Sequence, residues 1–155
     1  MNILQYLSIS LIVSLSIFIG AYIGKNVEEE LKDGSKYIKT LFLVLSYVVF
    51  FLAAQLLFSN IVITAFLPTI IIFSTFYIPR QVRDYFFLTL LGISMGIVLN
   101  KETNYILPSI MFIQGLCIGT INYYLEKRLF NKKLFFLSGT FLFFSVISYV
   151  VYLFV

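Results

Sequence analysis

Acidic residues are the first place to look for chemistry in this chain, because paired carboxylates can hold Mg²⁺ for reactions on a phospholipid headgroup. Four of the seven acidic residues fall within residues 28–33: Glu28, Glu29, Glu30 and Asp33. The three consecutive glutamates would point in different directions around a helix. Asp84 and Glu126 stand apart from them, and no acidic motif with metal-ligand spacing occurs. We therefore predict a solvated, salt-bridged surface here and no metal site.

Histidine and cysteine chemistry is almost excluded by composition. The chain has no histidine, which removes the commonest general base and the commonest zinc ligand. Its single cysteine, Cys117, lies inside an apolar run and is expected to be a small buried side chain. We therefore predict no catalytic residue, no cofactor and no enzymatic activity.

The overall composition is that of a protein dissolved in lipid. Hydrophobic residues make up 61% of the 155 residues and charged residues 12%, whereas a soluble domain is about half apolar and about a quarter charged. The formal charge of +4 comes from basic residues between apolar runs, so it indicates orientation in a membrane and not a nucleic-acid partner. The bilayer is therefore the first partner that the sequence predicts.

Six apolar runs are long enough to cross a bilayer, for which a helix needs about 20 residues. The expected spans are about 3–24, 36–58, 61–78, 79–99, 105–124 and 134–155. The runs are continuously apolar, without the alternation that a membrane β-barrel requires. The sequence thus predicts an all-α polytopic membrane protein, a single transmembrane domain of six helices joined by short loops.

Orientation follows from the basic residues, because cytoplasmic loops carry an excess of Lys and Arg. The loops after spans one, three and five hold ten of the eleven basic residues, and the opposite side has only Lys101. We therefore expect both termini outside the cell membrane and the three basic loops in the cytoplasm.

Two connections have specific expectations. Residues 25–32 are strong helix formers, so we expect helix one to continue to about Lys32 and to stop at Gly34 as its C-terminal cap. Ser35 would then cap helix two. Ser59 and Asn60 form a tight turn, which makes helices two and three antiparallel neighbours.

Three pairs of glycines four residues apart predict close helix packing, because such pairs form a flat groove that another helix backbone can approach. The pairs are Gly20 with Gly24, Gly92 with Gly96, and Gly115 with Gly119. They favour packing within the bundle, with contact to a second copy or a partner protein as the alternative.

Polar side chains at mid-membrane are the remaining candidates for a site. None is ionisable near neutral pH, which argues against a proton-coupled carrier. Gln114 is the most polar, and its amide requires partners in hydrocarbon. It serves either to join helices or to contact a neutral solute. A solute site would comprise Tyr47, Gln114, Ser14 and Thr89.

These features support three hypotheses about function. Short loops and helices that are apolar nearly all round favour a non-catalytic subunit or accessory protein of a membrane complex, with other membrane helices as partners. A small neutral-solute transporter, or its substrate-binding membrane subunit, is the alternative and requires a cavity at mid-depth. A lipid-headgroup enzyme at the cytoplasmic face is third, and it requires that the acidic residues converge on one pocket.

Overall fold

The computed structural model describes residues 3–58, 60–101, 106–125 and 130–154, and these form six α-helices without any strand. In chain order the helices are α1 Ile3–Asn26, α2 Leu31–Leu57, α3 Ile61–Thr75, α4 Arg80–Lys101, α5 Ile106–Leu125 and α6 Phe130–Phe154. The predicted fold class, an all-α membrane bundle, is confirmed.

Four of these helices, α1, α2, α5 and α6, are long and apolar enough to cross a membrane. Of the other two helices, α4 has 22 residues and carries Arg83 and Asp84 in its first turns. Helix α3 has 15 residues, a length of about 22 Å against a hydrocarbon core of about 30 Å. Its helix ends at Thr75, three residues before the predicted end of the third span.

Five helices form a closed ring in the order α1, α5, α2, α4, α6 and back to α1, while α3 packs chiefly on the outer side of α2. The closest pairs are α1 with α5 and α4 with α6. The ring encloses a core whose largest fully buried apolar side chains include Tyr6, Ile17, Leu88, Met95 and Phe141. Large apolar side chains are also exposed on the outer surfaces of the helices, as lipid contact requires.

The connection between α1 and α2 differs from the prediction. The α1 helix ends at Asn26, residues 27–30 form a turn, and α2 begins at Leu31. Gly34 lies inside α2, and its N–H donates to the carbonyl of Glu30 at 2.9 Å. No described residue has a positive φ, so Gly34 is not a left-handed cap. The expected caps at Gly34 and Ser35 are therefore wrong, because helical hydrogen bonding continues across both positions.

The connection between α2 and α3 agrees with the prediction of antiparallel neighbours. Phe58 takes an extended conformation, and the side chain of Asn60 accepts a hydrogen bond from the backbone N–H of Val62 at 2.9 Å. An asparagine at this position caps the helix and orients its first turn. Thr64 donates to the carbonyl of Asn60 at 3.0 Å, which adds a side-chain hydrogen bond to the first turn of α3.

Candidate binding cavity at the basic end of the bundle

The glycine pair in α1 packs against α5, and the glycine pair in α5 packs against α1. A side chain at Gly20 would overlap the backbone of Leu116, and one at Gly119 would overlap the backbone of Ile17. A side chain at Gly115 would overlap the side chain of Ser16, whereas a Cβ at Gly24 would lie 3.1 Å from the carbonyl oxygen of Thr120. The backbones of these two helices therefore meet directly, and Thr120 strengthens the contact by donating to the carbonyl of Gly20 at 2.8 Å.

The pair in α4 is used in the same way against α6. A Cβ at Gly92 would lie 2.8 Å from the carbonyl oxygen of Phe141, and one at Gly96 would overlap the side chain of Ser148. Ser148 in turn donates to the carbonyl of Ile93 at 3.0 Å. All six glycines thus lie at contacts inside the bundle, where they are not free to meet another protein.

The four residues of the expected mid-membrane site are dispersed. Gln114 is fully buried, and its Nε2 donates to Ser46 Oγ at 3.0 Å. Tyr47 is 37% exposed and stacks on Phe51 with ring centroids 6.3 Å apart. Ser14 donates within its own helix at 2.8 Å, and Thr89 is half-buried on α4. None of the four lines either cavity described below, so the structure does not bring them together.

Gln114 nevertheless remains unusual. Its Oε1 is buried without a hydrogen-bond partner, and it is the one such side-chain atom among the described residues. Ser46 cannot satisfy it, because that hydroxyl already donates to the carbonyl of Phe42 at 2.7 Å. An unpaired amide oxygen costs free energy in an apolar interior, so the link between α2 and α5 leaves half of the Gln114 amide unsatisfied.

A buried hydroxyl cluster closes the end of the bundle where α1 begins and α6 ends. Tyr6 Oη donates to the carbonyl of Ser145 at 2.7 Å and lies 2.6 Å from Ser145 Oγ. Ser10 Oγ lies 3.0 Å from the same hydroxyl, and Tyr149 stacks on Tyr6 with centroids 4.2 Å apart. Sequence reasoning missed this cluster. The Tyr–Ser spacing of four residues in each helix was the available signal.

The opposite end, where the basic segments lie, contains the larger of the two described cavities. It occupies about 350 Å³ between α2, α3, α4 and α5. We call it the basic cavity, and its lining residues are Lys39, Phe42, Leu43, Thr75, Phe76, Arg83, Asp84, Phe87, Ile118, Ile121, Asn122 and Leu125. The other, of about 10 Å³, is an apolar packing gap in the centre of the ring.

Charge in the basic cavity is predominantly positive. Asp84 pairs with Lys133 of α6 at 3.3 Å, and both side chains are largely shielded from solvent. Lys39 and Arg83 form no ion pair with a described carboxylate. Sequence reasoning read these two residues only as signs of orientation, because nothing in the chain shows that α2 and α4 are neighbours.

The basic cavity changes from charged to apolar with depth. Lys39 is exposed about two turns from the start of α2, and Arg83 is half-buried in the first turn of α4. One turn deeper are Phe87, 3% exposed, and Ile118, 5% exposed. One further turn along α5 is Gln114, on the same helix face as Ile118 because the two are four residues apart.

Metal chemistry receives no support from the described residues. They contain no group of three or more His, Cys, Asp or Glu side chains that could hold a metal ion. Asp84 is the one carboxylate found in the lining of the basic cavity, and Glu126 lies outside the described residues. Cys117 is buried in α5.

Comparisons with protein families, with curated proteins and with solved structures find no match to this chain. The geometry of the helices and of the basic cavity is therefore what bears on function.

Proposed function

We propose that this protein is a non-catalytic subunit or accessory protein of a complex in the cell membrane, with α3 as the helix that contacts a partner. The observation that carries the proposal is the outer face of α3. Its buried residues are Thr64, Pro68 and Thr75, and α2 is its chief neighbour. On the opposite face, four large side chains are 43–64% exposed and recur at helical spacing. This α3 stripe consists of Ile63, Phe66, Ile70 and Phe73.

Lipid contact alone is a poor environment for this helix. At about 22 Å, α3 is about 8 Å shorter than the hydrocarbon core, and a short helix adapts by thinning the bilayer or by associating with other helices. The other helices of the bundle each have more than one close neighbour, whereas α3 packs chiefly on α2. A transmembrane helix of another protein, packed on the α3 stripe, would relieve the mismatch and give α3 a second neighbour.

The proposed orientation has both termini outside and the basic loops in the cytoplasm. Its support is the distribution of ten basic residues on one side against one on the other. Within the described part of the chain, Lys39, Arg83 and Lys133 meet at one end of the bundle around the basic cavity. That end would face the cytoplasm.

A small neutral-solute carrier is the second candidate. The unpartnered Oε1 of Gln114 favours it, because a solute donor could supply the missing hydrogen bond. Gln114 is fully buried, whereas Tyr47 is 37% exposed. This difference in exposure weighs against a mid-depth cavity that both residues line. The subunit proposal therefore has the stronger support.

The subunit proposal is tested by purifying the tagged protein from its native membrane in mild detergent. A second membrane protein should co-purify at stoichiometric yield and should crosslink to a cysteine placed in the α3 stripe by Ile70→Cys, with Cys117→Ala removing the native thiol. Replacing Phe66 and Phe73 together with Ala should reduce the yield of partner about tenfold. The reduction is expected because these rings form the centre of the contact surface.

Phe143→Ala is the matched control, since Phe143 is 61% exposed on α6, away from α3. This variant should retain the partner. A protein that runs alone and monodisperse would contradict the proposal. Crosslinking of Ile70→Cys only to a second copy of the chain would replace the proposed partner by a homo-oligomer.

A further inference from the structure

We propose that the basic cavity binds the anionic headgroup of a phospholipid from the surrounding leaflet. The cavity combines two cations that form no ion pair with a described carboxylate and an apolar floor between four helices. Basic pockets between transmembrane helices at the cytoplasmic side are suited to anionic lipid headgroups. The proposal rests on the cavity lining and requires no partner on the α3 stripe, although Phe76 in the lining contacts Phe73 of that stripe with ring centroids 6.2 Å apart.

The charge balance selects an anion. The charged lining residues are Lys39, Arg83 and Asp84, with a net charge of 2 − 1 = +1, and Lys133 of α6 neutralises Asp84 from beside the cavity. The Asp84–Lys133 pair at 3.3 Å holds the carboxylate against α6. Lys39 and Arg83 are consequently available to a phosphate, which Arg can bind through two parallel hydrogen bonds and Lys as a point charge.

The gradient of polarity selects an amphiphile rather than a free ion. On each of α2, α4 and α5, a polar lining residue is followed one turn deeper by an apolar one, while Leu125 and Phe76 add apolar surface at the outer part. These pairs are Lys39 with Phe42 or Leu43, Arg83 with Phe87, and Asn122 with Ile118. A lipid of this leaflet has the same order, with its phosphate at the surface and its chains toward the midplane.

Size and access agree with a lipid. A volume of about 350 Å³ lies at the lower end of the range for ligand pockets, about 300–1,000 Å³, and suits a headgroup with the first part of its chains. Phe76, 63% exposed, lines the cavity and also reaches the outer surface of the bundle. Phe76 therefore offers a route by which a lipid could enter the cavity from the outer surface.

The absence of tryptophan from the chain provides a clean reporter. Phe76→Trp introduces one tryptophan beside the cavity, and its fluorescence is measured in phosphatidylcholine vesicles that contain either brominated phosphatidylglycerol or brominated phosphatidylcholine at equal mole fraction. The anionic lipid should quench the tryptophan more strongly. With Lys39→Gln and Arg83→Gln added, the preference should fall by about 30-fold, which corresponds to about 2 kcal/mol for two lost charges.

The matched control is Lys32→Gln with Lys36→Gln, which removes two exposed charges at the same end of α2 that do not line the cavity. This variant should keep most of the preference. If it loses as much as the cavity variant, general surface charge explains the result and the proposal is wrong. Equal quenching by both lipids in the Phe76→Trp protein would also overturn it.

Two further measurements keep the outcome clear. Lys39→Arg preserves the charge and should preserve the preference, which separates lost binding from a folding defect in the Gln variants. Inorganic phosphate added to the vesicles should leave the quenching unchanged at constant ionic strength. Displacement of the brominated lipid by inorganic phosphate would assign the cavity to a soluble anion and contradict the lipid proposal.

Discussion

Small side chains control the closest contacts at the residue scale. Glycine backbones meet neighbouring helices at Gly20, Gly92 and Gly119, where even a methyl group has no room. Lipid provides no hydrophobic force between helices, so contacts of this kind and interhelical hydrogen bonds hold the bundle together. The Tyr6–Ser145 hydrogen bond joins α1 to α6 beside the contact that Gly92 makes with Ser145.

Gly20→Ala should destabilise the protein by about 1–3 kcal/mol, because the added methyl group would force α1 away from the backbone of Leu116. Thermal unfolding in detergent measures the change. Gly139→Ala is the control, since a Cβ there meets nothing within 4 Å inside helix α6. It should stabilise by about 0.5–1 kcal/mol through helix propensity. Equal effects of the two variants would show that α1 and α5 do not meet at Gly20.

At the scale of the helices, the bundle consists of two closely packed parallel pairs and an outer hairpin. The pairs α1 with α5 and α4 with α6 carry the tightest packing, and α2 joins them by contacting both α5 and α4. The basic cavity lies where α2, α3, α4 and α5 meet, beside the less tightly packed side of the ring. The hairpin of α2 and α3 thus contributes to both proposed sites, one inside its junction and one on its outer face.

The position of the bend between α1 and α2 gives a direct test of this arrangement. Gly34→Ala should stabilise the protein by about 0.5–1 kcal/mol, because Gly34 is helical and a Cβ there meets nothing within 4 Å. A left-handed cap at Gly34 would instead make the alanine variant less stable by about 1–2 kcal/mol. Thermal unfolding of the variant and of the wild type distinguishes a helical Gly34 from a left-handed cap. A loss of stability would show that the bend lies at residue 34.

At the scale of the whole molecule, the ends of the bundle differ in character. One end is closed by the neutral hydroxyl cluster of Tyr6, Ser10 and Ser145. The other end contains the basic cavity with Lys39 and Arg83. A membrane with anionic lipids in its cytoplasmic leaflet favours the orientation that places the basic end there.

Orientation is measured by labelling single cysteines introduced by Ser35→Cys at the start of α2 and Asn60→Cys at the start of α3, each with Cys117→Ala. In intact cells, a membrane-impermeant thiol reagent should modify the cysteine at position 60 and not the one at position 35. Both should react after the cells are opened, which serves as the control for accessibility. Labelling at position 35 in intact cells would reverse the proposed topology.

Composition and hydropathy alone indicated a lipid environment, the fold class and the number of helices. Continuous apolar runs must become helices in lipid, because every backbone polar group has to be paired within its own segment. Antiparallel pairing of α2 and α3 also followed from sequence, since a tight turn leaves no other arrangement. The bend near residue 30 did not follow, because glycine at position 34 is compatible with both a cap and a helix.

Which helices are neighbours was decided only by the tertiary structure. Glycine pairs in three helices did not reveal that α1 would meet α5 or that α4 would meet α6, because each groove accepts many partners. The basic cavity was hidden for the same reason: Lys39 and Arg83 are 44 positions apart and became one site only when α2 packed against α4. Residue types and local periodicity are carried by each segment alone, whereas a site between helices depends on their long-range packing.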